Sequence, residues 1–298
     1  MWSILLSSNT QWVLLSTMIL GIAAGMVGCI AYFKRQNLMS DALSHAALPG
    51  VVIAFILFAE KQLYVLIIGA AVSALCGVLF IQAVSTSTRI SEDASMGMVL
   101  AVFYGLGIML LTIANRMVSG NQSGLDSFIY GQAAAMVRSD MYTMILLALA
   151  VVFILFLLLK EWKVYLFDGG FAKGIGLSVR GMDLLYIGIL VTTIVIGIQA
   201  VGVILMAALM ITPAVSARYW TKTFAMMLLL SALFGGISGA VGTLITALWS
   251  GLPTGPFIVV VASSLFIFSL LFGKEKGIVL RFIEQSRQRK TIEAREVG

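Results

Sequence analysis

Long apolar runs separated by short polar stretches dominate the pattern of this chain. Most runs are long enough for a helix that crosses the hydrocarbon core of a bilayer, which takes roughly 17–25 residues. The pattern predicts an all-α polytopic membrane protein with about nine transmembrane helices, or about eight if short spans merge. The predicted spans are 13–33, 37–58, 63–83, 94–114, 140–159, 184–200, 202–220, 224–248 and 257–272.

Three places interrupt this regular pattern. The apolar region 184–220 is too long for one span, so we expect a break near Gln199–Gly202. Pro213 should bend or unwind the second half of that region. The gap 115–139 is predicted to hold a short helix or a re-entrant piece, and the gap 160–183 to hold one or two short helices. From its residues alone, the second gap is slightly favoured as an ordinary connector.

The composition supports a membrane location. The chain is 60% hydrophobic and 11% charged, whereas soluble domains carry about 25% charged residues. Many glycines lie inside apolar runs, where small residues let helices approach closely. The only cysteines, Cys29 and Cys76, lie inside predicted spans and indicate packing rather than a disulfide or a metal site. Two glycine stripes are predicted helix-packing faces: Gly21, Gly25 and Gly28 in the first span, and Gly235, Gly239 and Gly242 in the eighth.

The distribution of basic residues predicts the orientation. Cytoplasmic loops of membrane proteins are enriched in Lys and Arg. If the N-terminus lies outside, only Lys61, Arg116 and Arg138 of the 19 Lys and Arg residues fall outside with it. We therefore predict an external N-terminus, a cytoplasmic C-terminus and an odd number of spans.

The net charge of +6 does not indicate nucleic-acid binding, because the basic residues are spread over short loops and one tail. We predict a transmembrane domain at 1–273, in contact with membrane lipid. The remaining residues, 274–298, form a basic cytoplasmic tail in this prediction.

One span carries an ionisable pair, Asp41 and His45, the latter being the only histidine in the chain. Residues four apart on a helix share a face, and a charged Asp within a span costs about 2.5–3.5 kcal/mol on insertion scales. A carboxylate and an imidazole suit a divalent ion such as Mn²⁺, Zn²⁺ or Fe²⁺. Pro49, one turn further on, should break the helix and free the His45 carbonyl. Two side chains are too few for a complete shell, so a second copy of the chain, water or backbone oxygens would supply the rest.

The same pair suits two roles besides metal binding. Asp41 and His45 could form a proton relay in a secondary transporter, or a structural hydrogen bond in a membrane scaffold. The residues alone place the metal, proton and structural roles near parity.

Other candidate chemistry is weaker. Met206 and Met210 lie four apart and suggest a soft metal such as Cu(I), although packing is favoured. Glu92 and Asp93 follow Ser91, and this order favours a helix start. The chain has no G-x-x-x-x-G-K-[S/T] loop, so any ATP hydrolysis belongs to another subunit and we predict that this chain is not an enzyme.

The stretch Asp41-Ala-Leu-Ser-His45-Ala-Ala-Leu-Pro49-Gly-Val resembles the signature of bacterial ABC-transporter permeases for manganese, zinc and iron. The resemblance extends along nearly the whole chain. Its further landmarks are Leu125–Phe128 through Gly131, Asp168 to Gly176, Gly202 to Ala214, and Leu252 to Pro256.

This resemblance implies a type II, vitamin-B12-importer-like permease fold in a bacterial cell membrane. It implies a homodimer, or a pair with a sister permease, with Asp41 and His45 as ligands in a pathway between the subunits. It also implies a cytoplasmic ATP-binding subunit and an extracellular metal-binding lipoprotein as partners. The transported ion would be Mn²⁺ by preference, with Fe²⁺ or Zn²⁺ as alternatives and no permanent cofactor. The residues that would couple to the ATPase are Asp168, Gly169, Gly170, Lys173, Gly174, Gly176 and Arg180.

Overall fold

A computed structural model of the chain describes residues 8–58, 63–117, 131, 136, 138–249 and 252–279. Within these ranges the chain forms helices joined by short connectors. They are α1 (Ser8–Phe33), α2 (Met39–Phe58), α3 (Leu63–Ser87), α4 (Glu92–Met117), α5 (Arg138–Leu157), α6 (Leu159–Phe167), α7 (Gly169–Gly174), α8 (Val179–Val201), α9 (Val203–Arg218), α10 (Phe224–Leu248) and α11 (Thr254–Phe272).

The helices confirm the predicted all-α membrane fold. Eight of those in the described ranges are long and apolar enough to cross a membrane, and α6, α7 and α9 are shorter. Helix α8 begins five residues earlier than predicted, because Ser178 accepts a hydrogen bond from the backbone N–H of Gly181 at 3.1 Å and so caps the helix. The gap 160–183 was expected to hold one or two short helices, and two are present, α6 and α7.

Aromatic contacts define two ends of the bundle. At one end the ring of Phe33 on α1 meets Phe167 of α6 and Phe224 of α10, with centroid distances of 5.2 and 5.5 Å. At the other end Trp12, near the start of α1, lies 4.8 Å from Tyr142 of α5. We call these the Phe33 end and the Trp12 end.

Helix α9 runs between the two ends although it has only 16 residues. It follows Gln199, whose side-chain amide donates to Asp140 of α5 at the Trp12 end over 3.2 Å. It leads to Tyr219, whose carbonyl accepts from the N–H of Glu275 at 2.9 Å, just before α10 starts at the Phe33 end. A length of about 24 Å is short for a bilayer, and α9 is largely buried among other helices.

The break that separates α8 from α9 lies at Gly202, within the predicted interval. Its φ of 96° is a backbone conformation that favours glycine. Gly131 packs directly against this break, since a Cβ at Gly131 would overlap the backbone of Val201. Of the two effects expected of Pro213, unwinding does not occur, because α9 continues through that residue. The chain turns back at Gly202 and not at Pro213, because glycine adopts a positive φ at little steric cost.

Four of the six stripe glycines lie in a close contact between α1 and α10, while Gly28 packs against Met210 of α9 and Gly242 against Ile258 of α11. A Cβ at Gly21 would overlap the carbonyl oxygen of Gly235, and one at Gly25 would overlap that of Ser231. Further along the same seam, the hydroxyls of Thr17 and Thr243 lie 2.8 Å apart. The prediction that these stripes are packing faces is confirmed. Beside this seam with α10, α1 also packs against α5, α8 and α9.

Candidate metal site and coupling surface

Helix α2 places Asp41 in its first turn and His45 one turn later. The His45 Nε2 atom lies 3.4 Å from Asp41 Oδ1, so the predicted shared face is confirmed. An ordinary N–H···O bond measures about 2.9–3.0 Å, so the two groups face each other without a tight bond. Both therefore keep the capacity to contact a common third atom.

His45 has one ring nitrogen that nothing in the described residues satisfies. The Nδ1 atom is buried and lacks a hydrogen-bond partner. The side chain is 12% exposed, while that of Asp41 is 34% exposed. Leaving a buried polar atom unpaired costs about 1–3 kcal/mol, so a bound species or water that reached Nδ1 would be stabilised.

Asp41 and His45 are the two candidate ligand side chains that the described part of the chain brings together here. Among the described residues, no group of three or more His, Cys, Asp and Glu side chains comes together. A complete ligand shell at this place would need further ligands from outside this set of side chains.

The helix break predicted at Pro49 is not a break, because α2 continues through that residue to Phe58. Beside the proline, α2 packs closely against α3. The hydroxyl of Ser73 on α3 donates to the carbonyl of Ala46 at 2.6 Å, and Gly50 and Gly69 bring the two helix backbones into close contact. Proline therefore alters one hydrogen bond within a continuous ligand helix.

An apolar groove begins beside Pro49, one turn beyond His45. Its volume is about 540 Å³, and it lies between α2, α3 and α4. Phe58 and Tyr64, both more than half exposed, line it further along. The groove thus extends from the neighbourhood of the ligand pair along an open face of the chain.

The connector before α2, residues 34–38, is held from several directions. The Gln36 side chain donates to Glu92 of α4, and the N–H of Met39 bonds back to the Gln36 carbonyl at 3.1 Å. Ser91 accepts from the N–H of Ala94 at 3.3 Å, which confirms the predicted helix start. The sequence did not indicate that Glu92 would also anchor the connector.

All seven residues predicted to couple to an ATPase are exposed. They lie in and around α7, where the Asp168 carboxylate accepts from the N–H of Phe171 at 2.8 Å and caps the helix. Gly176 turns the chain toward α8 with a φ of 85°. Large apolar side chains accompany these residues on the same surface, and Phe167, Phe171 and Ile175 are each more than half exposed. The segment has the mixed apolar and polar surface of a protein contact.

A cluster around Lys34 joins α6 and α8 to the end of α1. The Lys34 Nζ atom lies 2.7 Å from Asp183 Oδ1 and 2.6 Å from the Tyr165 hydroxyl. Tyr165 also donates to Asp183, and burial together with that carboxylate raises the pKa of Tyr165. Sequence reasoning missed this cluster, and the only available signal was that all three residues border the same predicted membrane face.

The remaining candidates have structural roles or lie outside the described residues. Met206 and Met210 are fully buried, and Met206 fills the space beside Gly197, as expected for packing. Cys29 is buried and Cys76 is exposed, and both are free. The landmark Leu125–Phe128 lies outside the described residues.

The family model described as the ABC 3 transport family matches residues 7–273. Two curated relatives cover most of the chain. The manganese transport system membrane protein MntC of Bacillus subtilis (strain 168) is 40% identical over 297 residues, which cover 100% of this chain and 68% of the relative. The zinc transport system membrane protein TroC of Treponema pallidum (strain Nichols) is 39% identical over 277 residues, 93% of each chain.

Two solved structures also resemble this chain. PsaBC from Streptococcus pneumoniae in complex with Fab contains a chain that matches with a TM-score of 0.82 and 28% identity, covering 95% of this chain and 97% of that one. A metal-chelate type ABC transporter in an inward-facing conformation matches with a TM-score of 0.67 at 16% identity over 87% and 84% of the two chains, a likeness of fold alone. Together with the membrane helices, these matches define the class of protein as a transporter permease and not an enzyme. The chain belongs to the ABC 3 transport family.

Proposed function

We propose that this chain is the permease subunit of an ATP-driven importer of a divalent metal ion, with Mn²⁺ as the favoured substrate and Zn²⁺ or Fe²⁺ as alternatives. The observation that carries the proposal is the Asp41–His45 pair, in which an oxygen and a nitrogen ligand face each other at 3.4 Å. The unpaired, buried Nδ1 of His45 supports a bound polar species at this place. Relatives named for manganese and zinc transport support a divalent ion.

A second copy of the chain, or a sister permease, completes the pathway in this proposal. Asp41 and His45 offer two ligands, whereas hard and borderline divalent ions are coordinated by about four to six ligand atoms. The groove that starts at Pro49 lies on an open face of α2, α3 and α4. A facing permease would cover this groove and bring a second Asp and His toward the same axis.

The partners follow from the two ends of the bundle. The exposed surface from Asp168 to Arg180, which we call the coupling surface, would receive a cytoplasmic ATP-binding subunit. The Trp12 end would receive an extracellular metal-binding lipoprotein. The N-terminus then lies outside a bacterial cell membrane, with residues 274–298 as a cytoplasmic tail after a transmembrane domain at 1–273. Membership of an ABC transport family supports a separate ATPase.

In the proposed cycle, Asp41 and His45 form a transient binding site for the ion along the transport pathway. The lipoprotein delivers the ion, ATP binding moves the coupling surface, and the ion passes Asp41 and His45 toward the cytoplasm. Ligation requires a neutral imidazole and an ionised carboxylate, so acid weakens it. The family assignment argues against a proton-coupled transporter and against a membrane scaffold.

The test is uptake of Mn²⁺ into liposomes that contain the permease, its ATPase and its lipoprotein. We expect ATP-dependent uptake in the wild type, and a decrease of at least about ten-fold in His45→Ala and in Asp41→Ala, as is typical when a metal site loses a supporting group. Ser44→Ala is the matched control, because Ser44 lies on the same helix and its hydroxyl donates within α2, to the Ser40 carbonyl at 2.7 Å.

Equal uptake in His45→Ala and in the wild type would contradict the assignment of His45 as a ligand of the transported ion. Uptake of Zn²⁺ or Fe²⁺ in preference to Mn²⁺ would keep the mechanism and change the substrate. Uptake that persists without ATP would contradict the ATP-driven importer itself.

A further inference from the structure

Lys34 lies where the end of α1 meets α6 and α8. It directly follows the last residue of α1, and its ammonium group contacts Tyr165 of α6 and Asp183 of α8. The rings of Tyr165 and Tyr186 lie 5.1 and 4.7 Å from the same nitrogen. The Lys34 side chain is only 16% exposed. A lysine with this many fixed partners has one geometry rather than a set of solvated ones.

The residues that follow Lys34 connect it rigidly to the ligand helix. Only residues 34–38 separate α1 from α2. Within them Arg35 has a φ of 61°, the only positive φ of a non-glycine residue in the described part of the chain. Such a conformation persists only where the surroundings determine it. Backbone bonds from Gln36 to Ala31 and from Met39 to Gln36, of 3.0 and 3.1 Å, close the turn on both sides.

A second contact links the connector to the helix that covers the candidate site. Gln36 donates to Glu92 at the start of α4, and Tyr104 of the same helix packs against the His45 ring. The connector is therefore fixed to α6 and α8 through Lys34, and to α4 through Gln36. Asp41 lies in the first helical turn that follows it.

We propose that Lys34 is a positioning residue that transmits the displacement of α6 to the first turn of α2, and so couples the state of the ATPase to the geometry of Asp41 and His45. The inference rests on the proposed function, in which the Asp168–Arg180 surface contacts the ATPase and the pair holds the ion. Helix α6 directly precedes that surface, with Asp168 joining α6 to α7. When α6 moves, the Tyr165 hydroxyl moves with it, and Lys34 and the short connector follow.

The test measures metal ions transported per ATP hydrolysed by the complete complex in liposomes, together with Mn²⁺ binding to the resting complex without ATP. Lys34→Met keeps the aliphatic stem and removes the ammonium group. We expect ATPase activity within about two-fold of the wild type, unchanged resting Mn²⁺ binding, and a decrease of about ten-fold or more in ions per ATP. Lys34→Arg restores the charge and should recover most of the coupling.

Lys222 provides a matched control. Its ion pair with Glu275 has the same 2.7 Å separation and lies at the Phe33 end, but the Lys222 side chain is 74% exposed and its partner follows α11. Exposed pairs contribute little to stability. We expect Lys222→Met to leave ions per ATP unchanged.

Tyr165→Phe decides the question independently of the lysine, because it removes one oxygen and leaves the ring in place. We expect a decrease in ions per ATP of about three-fold or more, and no further decrease when Tyr165→Phe is added to Lys34→Met, since residues that act through each other are not additive. If Lys34→Met does not insert stably, Tyr165→Phe alone provides the test.

The inference would be overturned if Lys34→Met and Tyr165→Phe both transported as many metal ions per ATP hydrolysed as the wild type. A loss of ATPase activity and resting Mn²⁺ binding in parallel with transport would also overturn it, because that result indicates only a structural role. Different results would contradict the proposed function. One is that His45→Ala binds Mn²⁺ in the resting complex as the wild type does. The other is that the wild type shows no ATP-dependent uptake.

Discussion

The ring of Tyr104 on α4 lies edge-on to the imidazole of His45 on α2, with 4.7 Å between the ring centroids and 73° between the ring planes. Edge-to-face pairs of this kind contribute about 0.5–1.5 kcal/mol beyond their buried area. The contact fixes the plane of the imidazole while its Nε2 atom faces Asp41. The direction in which His45 presents its nitrogens is therefore set by a neighbouring helix as well as by α2.

The Tyr104 contact predicts a graded effect on ion binding. Tyr104→Ala frees the imidazole to rotate, and we expect Mn²⁺ binding by the resting complex to weaken by about ten-fold, the lower end of the effect of groups that orient metal ligands. Tyr104→Phe keeps the ring edge and should bind as the wild type does. Equal affinity in all three proteins, measured by equilibrium binding, would show that α4 does not orient the ligand.

The close contact of α1 and α10 predicts that single methyl groups will destabilise the protein there. Gly21→Ala would place a Cβ against the carbonyl oxygen of Gly235, and backbone has to shift to accept it. We expect a loss of about 1–3 kcal/mol, seen as a lower thermal midpoint in detergent. Gly105→Ala on α4 is the control, because a Cβ there meets nothing within 4 Å. A fall in midpoint for Gly105→Ala as large as that for Gly21→Ala would contradict the packing argument.

The features that the sequence predicted correctly depend on local geometry. Asp41 and His45 share a face because any helix places residues four apart on one side. The glycine stripes follow from the same periodicity. The break at Gly202 follows from span length together with a residue that tolerates positive φ. Each of these depends on residues within one continuous stretch of the chain.

The features that the sequence missed depend on contacts between distant segments. Lys34 and Asp183 are 149 positions apart, and nothing in either segment specifies the other. Pro49 was expected to break α2, yet α2 continues through it and packs closely against α3. The end of α1 could be placed near the start of α8 on one membrane face, but the choice of partner across that face comes from the tertiary fold.

The cap of α7 predicts that Asp168 acts by shaping the coupling surface. Its carboxylate satisfies the N–H of Phe171, and loss of such a cap costs about 0.5–2 kcal/mol. Asp168→Ala should therefore loosen α7 and weaken binding of the ATPase subunit, measured by co-purification at increasing salt. Asp168→Ser can still cap the helix and should retain binding. Equal weakening in both variants would indicate that the carboxylate itself contacts the ATPase.

The two cysteines report whether a second permease covers the groove. Cys76 is exposed and lines the groove beside Gly50 and Phe103, whereas Cys29 is fully buried. In detergent-separated single chains, a small maleimide should label Cys76 and leave Cys29 unmodified, so that Cys76→Ser takes up no label. In the assembled transporter, verified as a permease pair by light scattering, we expect labelling of Cys76 to slow by at least about ten-fold, because a facing subunit excludes the reagent from a buried interface core. Labelling at the same rate in both states would mean that the groove stays open in the assembly and that the pathway between two subunits lies along another face.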